Sequence, residues 1–168
     1  MSHTKFTAEQ RITRLEDIEA IKQLKAEYAR KLDNQFDAEG LASLFVENGL
    51  WTIKGVGGEA RGQDGIKRHC SNLSQSISWA QHNIHSPIVS ISADGCRANA
   101  TFYLLCLLTM KTSPEASKEE AVVLSGKYAD KFVKVDGKWL FEEVSGIIQQ
   151  SAPWTQGWVQ SQLIKESW

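Results

Sequence analysis

The first regular pattern along the chain is helical. Leu15, Ile18, Ile21, Leu24, Tyr28 and Leu32 recur every three or four residues and line one face of a helix that ends near Asp33. Thr13 followed by Glu16 has the spacing of a capping box, in which each side chain satisfies an orphan amide of the first turn, so the helix is predicted to start there. Asp37 is placed to cap a second, shorter helix carrying Leu41, Leu44 and Phe45. Residues 50–53 read as a short strand running into the glycine-rich loop at 55–58, and a third helical stretch is predicted over residues 65–73, after Gly62 and Asp64.

The pattern then changes. Residues 78–93, 98–111, 120–135 and 138–148 are rich in Val, Ile, Phe, Tyr and Trp and read as four strands. Asp94-Gly95 and Asp136-Gly137 are dipeptides that tolerate the positive φ of tight hairpin turns, whereas the joint at 112–118 is longer and polar. Helices first and hairpin-linked strands afterwards predict an α+β fold with a curved antiparallel sheet, not alternating βαβ units. Long strands twist and curl, the first helix can cover the concave side, and a cavity is left wherever it does not fill the curl. The segment 151–168 carries Pro153, Trp154, Trp158 and Trp168, too aromatic for a disordered end, and is expected to fold back as a lid or an interface segment.

Composition narrows the function classes. A chain of 168 residues with 42% apolar content fits one domain and leaves no room for a second. The formal charge of -1, with Lys and Arg dispersed among Asp and Glu, offers no basic stripe for a phosphate backbone, so nucleic acid is not an expected partner. The longest apolar run, residues 102–108, is too short to span a bilayer, and no signal-like segment opens the chain; a cytoplasmic protein without membrane partners is expected. Cys70, Cys96 and Cys106 are widely spaced and read as small apolar residues, not as a disulfide framework or thiolate metal site.

The stretches "IEAIKQLKAEYARKLDNQFDAEGLASLF", "GQDGI" at residues 62–66, "QHNIHSPIVSISADGCRA" and "GKYADKFVKVDGKWLFEE", in this order, resemble the SnoaL-like branch of the nuclear transport factor 2-like superfamily over residues 15–148. The resemblance implies a cone-shaped sheet covered by helices, and it implies chemistry like that of scytalone dehydratase, bile-acid dehydratase and hexachlorocyclohexane dehydrochlorinase, which use a His-Asp pair inside the cone. Carried over residue by residue, the aspartate matches Asp33, the histidine His82, and the tyrosine of the bile-acid enzyme Tyr28. Several of these enzymes place an arginine on the last strands; here that stretch offers Lys127, Lys131, Glu142 and Glu143, so chemistry that needs a guanidinium is not expected.

Each candidate has a plainer reading beside the chemical one. Asp33 stands at a helix C-terminus, where the macrodipole disfavours an exposed negative charge by about 0.3–1 kcal/mol; it either accepts from His82 Nδ1 or serves as an ordinary turn residue before Asn34. His82 and His85 lie three apart on one strand, so only one faces the cone, and the resemblance favours His82. The same alternation argues against zinc, because two ligands three apart on a strand do not converge. Tyr28 is a core aromatic or a proton donor, and on a continuous helix it lies about 140° from Asp33. Trp51, Trp79, Phe102, Tyr128 and Trp154 are core residues or the walls of an apolar ligand pocket.

The residues and the resemblance together predict a cofactor-independent lyase, dehydratase-like, or an isomerase. It would act on a hydrophobic cyclic small molecule through His82, Asp33 and Tyr28. The rival expectation is a non-catalytic binding or assembly subunit of the same fold. A homo-oligomer, dimer or trimer, is expected in either case.

Overall fold

The computed structural model describes residues 6–55, 58–111 and 118–159. Most of the polar joint predicted at 112–118, and Trp168, therefore lie outside the described residues. The elements are α1 (Ala8–Asp33), α2 (Ala38–Ala42), β1 (Phe45–Lys54), β2 (Glu59–Arg61), α3 (Gly62–Ser76), β3 (Ile77–Ile91), β4 (Arg97–Lys111), β5 (Glu119–Val135) and β6 (Lys138–Pro153).

Helix α1 begins well before Thr13. Thr7 and Gln10 have capping-box spacing and stand further upstream; the Gln10 N–H donates to Thr7 Oγ1 and the Thr7 N–H to Gln10 Oε1, so this box closes the helix first. Thr13 and Glu16 are left on the exposed helix surface. The far end stops at Asp33 as the periodicity predicts, and Asp37 caps α2 by accepting from the Gly40 N–H at 2.9 Å.

The buried side of α1 differs from a plain apolar stripe. Ile21, Tyr28 and Leu32 are buried, Leu15 is exposed, and two charged residues, Asp17 and Lys25, are buried with them. Each is matched by a group from the sheet. Asp17 accepts from Trp139 Nε1 at 2.9 Å and pairs with Lys134, while Lys25 Nζ lies 2.8 Å from Asp130 Oδ2. These pairs fix α1 across the sheet, because a buried charge is tolerated only where a partner meets it.

The sheet has six strands in the order β2-β1-β6-β5-β4-β3. It is antiparallel except that β1 runs parallel to β6, a departure from the purely antiparallel sheet expected from the hairpins. Hairpin signals report only sequential neighbours; β1 reaches β6 after a long excursion through α3 and four strands, and nothing local encodes that pairing. The β5–β6 joint is a two-residue turn, with Asp136 at φ 48 and Gly137 at φ 78, as Asp-Gly favours. Register shifts at Ser125/Gly126 and Lys131/Phe132 bend the β5–β6 ribbon. At Gly146, opposite Tyr128, a Cβ would press on the Tyr128 ring and on Ile53, so glycine there makes room for the aromatic side chain.

Of the cysteines, Cys70 and Cys106 are buried, and burial pushes both thiols up to about 12, as the apolar reading requires. Cys96 departs from that reading: it sits exposed in the β3–β4 turn. Among the described residues no helix is long and apolar enough to cross a membrane.

Candidate active site

The site begins with alternation on β3. Ala80 is buried and His82 is only 12% exposed, whereas the odd-numbered Gln81 and His85 are exposed, so His82 turns toward α1 and His85 turns away to stack on Tyr103. Asp33, the last residue of α1, reaches His82 twice. Its carboxylate accepts the His82 backbone N–H at 3.0 and 3.2 Å and lies 2.7 Å from Nδ1. These contacts offset the unfavourable end of the helix dipole. A carboxylate at Nδ1 holds the proton there, which leaves Nε2 as a free base.

A cavity of about 340 Å3 opens beside the imidazole. Tyr28, Trp51, His69, Tyr128 and His82 line it among mostly apolar side chains, with Ser76 and Ser151 also on the wall. Asp33 does not line it. Together with Lys25 and Phe102 the carboxylate borders a second cleft between α1 and β3, and His82 lines both spaces. The helix stays continuous through Asp33, so Tyr28 and Asp33 occupy different faces; the His82 imidazole lines the same cavity as Tyr28 and touches Asp33 through Nδ1.

The structure thus brings Tyr28, Trp51, Tyr128 and His82 around one cavity with Asp33 behind the histidine, and leaves three other candidates elsewhere. Phe102 is buried and borders the second cleft instead, its ring centre 5.4 Å from Lys25 Nζ. Trp79 shares the outward phase of Gln81 and is 49% exposed, and Trp154 follows β6 in a turn at 65% exposure.

Tyr28 packs edge-on to Trp51, Tyr128 and Phe141 at centroid distances of 6.3, 6.0 and 5.7 Å. Burial holds the Tyr28 and Tyr128 hydroxyls above the usual phenol range, so both are protonated at neutral pH and able to donate. Lys25 Nζ sits 3.4 Å from the centre of the Tyr128 ring and 4.3 Å from that of Tyr28. Burial drives Lys25 down to about 8 and Asp130 up.

Three polar residues in or near this region are not evident as candidates in the sequence, although each carries a signal there. His69 lies three residues after Ile66 and four before Leu73, on the buried face of α3, where burial lowers its pKa and keeps it neutral. Lys25 falls between Ile21 and Tyr28 on the α1 stripe, and Asp130 between Tyr128 and Phe132 on the inward phase of β5. Among the described residues no three His, Cys, Asp or Glu side chains gather as a metal ion would require.

Known proteins share this architecture. A hexachlorocyclohexane dehydrochlorinase of type 2 superposes with a TM-score of 0.75 at 20% identity, covering 85% of this chain and 92% of its own. A proposed scytalone dehydratase from Novosphingobium aromaticivorans gives 0.74 at 23% identity, covering 94% and 99%. A nuclear transport factor 2-like protein with a cystatin-like fold from the same organism gives 0.64 at 20%, covering 95% and 96%. Identities in this range speak for the fold alone, and no curated protein matches the sequence. The α+β order, the curved six-stranded sheet and the match of residues 13–145 to the SnoaL-like domain agree, and the chain belongs to the SnoaL-like family.

Proposed function

We propose that the protein is a cofactor-independent lyase of the dehydratase type, or an isomerase, acting on a hydrophobic cyclic ketone or its hydroxylated relative. The observation that carries this reading is the Asp33–His82 contact at 2.7 Å beside an apolar cavity. His82 Nε2 takes a proton from the carbon next to the carbonyl, and the electron pair of that C–H bond moves into the ring as an enolate. Asp33 holds the imidazolium that results, and Tyr28 donates to the oxygen that gains charge. In the elimination, the enolate re-forms the carbonyl and expels a β-hydroxyl, which takes the proton back from His82 and leaves as water. In isomerisation the proton returns to another carbon. The dehydrochlorinase and dehydratase names among the structural neighbours support the first course.

Proton abstraction is measurable without the natural substrate. In D2O, α-tetralone should exchange the hydrogens beside its carbonyl faster with the wild-type protein than in buffer, read by proton NMR. His82→Ala and Asp33→Asn should lose about 10²–10⁴ of that acceleration while melting near the wild-type temperature. An unchanged rate in His82→Ala would refute the acid-base reading. Tight binding of the ketone without exchange would leave a binding module of the same fold.

A further inference from the structure

A lysine almost sealed from solvent stands against the two tyrosines of the cavity wall. The Lys25 side chain is 2% exposed, and Nζ pairs with one carboxylate, Asp130 Oδ2, at 2.8 Å. An ammonium group has three N–H donors, so one carboxylate does not fill its shell. Aromatic faces supply the rest: Nζ lies 3.4 Å from the centre of the Tyr128 ring, 4.3 Å from that of Tyr28, 5.4 Å from that of Phe102 and 5.7 Å from that of Phe141. The two nearest rings are the two that line the cavity. Both elements are built for this meeting, since Lys25 and Tyr28 are neighbours one turn apart on α1, and Tyr128 and Asp130 share the inward phase of β5.

A buried pair that only pinned a helix to a sheet would have no need of these rings, because apolar side chains of similar size pin at least as well. The placement has an electrical consequence. A cation is attracted to the face of an aromatic ring. Its field reaches the hydroxyl at the ring edge, draws electron density from that oxygen and makes the O–H a stronger donor. In a low-dielectric interior the field is little screened. Asp130 opposes it, but Asp130 Oδ1 accepts the Ser145 N–H at 3.1 Å, so part of that negative charge is met by the backbone. The Tyr28 hydroxyl is hydrogen-bonded to Tyr128 and to the Trp51 indole, and a field that polarises one hydroxyl is passed to the other.

We propose that Lys25 is a positioning residue for this site: its ammonium holds Tyr28 and Tyr128 by their ring faces and strengthens the tyrosine hydroxyl as a donor to an oxygen that gains charge. This role rests on the reading of the cavity as a site of proton abstraction and adds a residue that acts on the ligand only through the tyrosines. Lys25 then matters little for a ligand whose oxygen stays neutral and much for one whose oxygen carries negative charge.

The test replaces the pair in one chain, Lys25→Met with Asp130→Leu, so that no buried charge is left alone. Two ligands with the same two rings are compared by calorimetry: α-tetralone, neutral at its oxygen, and 1-naphthol, whose acidic hydroxyl carries enolate-like charge. Relative to the wild type, the double variant should bind 1-naphthol about tenfold more weakly, the ratio that about 1.4 kcal/mol gives, and α-tetralone within about threefold. Its exchange of α-tetralone hydrogens should also slow about tenfold. Equal losses for both ligands, no loss for either, or no binding of either to the wild type would each overturn the role, because packing alone does not sense charge. A measurement on the wild type decides even if the variant fails to fold. Coupling between two sites is reciprocal, so charge on the ligand oxygen must in turn favour the ammonium. Lys25, followed by its ¹⁵Nζ resonance, should keep its proton to higher pH with 1-naphthol bound than with α-tetralone; identical titrations would overturn the role. The other charged or titratable groups around it are Asp130, Tyr28 and Tyr128 and, at the second cleft, Lys22, Arg30, Asp33 and His82; they are common to both complexes, so the difference isolates the ligand. A Lys25-dependent preference for 1-naphthol without hydrogen exchange would sink the acid-base reading and leave Lys25 in its role; exchange that is indifferent to the double substitution would do the reverse.

Discussion

Replacing Lys25 by methionine keeps the length and the apolar stem of the side chain and deletes only the ammonium group. Its partner Asp130 has a fully buried side chain and would keep one hydrogen bond, from the Ser145 N–H at 3.1 Å. A lone carboxylate in that position has one escape, which is to take a proton. At pH 7 this costs about 1.36 kcal/mol for each of the roughly 3 pH units above an unfolded carboxyl at about 3.9, so the loss is capped near 4 kcal/mol. That cap falls within the range of about 3–5 kcal/mol for breaking a buried pair. The sign follows from linkage: a carboxyl whose folded pKa is raised loses stability as pH rises from its unfolded value through its folded one. At pH 5 the cap is accordingly only about 1.5 kcal/mol. In the wild type Lys25 titrates at about 8, above both conditions, and adds no slope between them. Urea unfolding followed by tryptophan fluorescence at pH 5 and pH 7 measures the difference, and Lys25→Met with Asp130→Leu in one chain should recover at least half of the loss, because no charge is then left alone. A penalty for Lys25→Met below about 1 kcal/mol at pH 7, or one equal at both pH values, would refute the reasoning.

Two further substitutions separate function from stability. Tyr28→Phe removes a buried hydroxyl whose polar neighbours are Tyr128 and the Trp51 indole, so the unfolding free energy should fall by no more than about 1.5 kcal/mol, the net worth of one hydrogen bond, while α-tetralone exchange falls; a larger destabilisation would mean that the hydroxyl holds the fold instead. Gly126→Ala places a Cβ where it overlaps the carbonyl oxygen of Ile147 at the β5–β6 bulge, and backbone cannot swing aside as a side chain can. It should cost about 1–3 kcal/mol in urea unfolding, and a neutral result would show that the bulge yields.

The sequence by itself determined the local features. The 3.6-residue period drew α1 and its end at Asp33, and the Asp-Gly dipeptides marked both hairpin turns, because periodicity and turn chemistry act between near neighbours. Strand alternation likewise separates His82, which meets Asp33, from His85, which meets Ser86. The Thr7 box shows the limit even here: two segments carried the same capping pattern, and only the folded helix showed which one closes it.

Tertiary structure decided what depends on distant segments meeting. The parallel β1–β6 pairing, the Lys25–Asp130 pair and the contact between Trp51 and His69 join residues with no local relation, so no short-range rule encodes them. The same holds for the division of the aromatic candidates: Trp51 and Tyr128 line the cavity while Trp79 and Trp154 face outward, since burial of an aromatic is set by strand phase and by what covers it. Chemistry at the end of α1 was legible as residue types; that Asp33 stands behind His82 rather than within the cavity was fixed only when helix and sheet packed together.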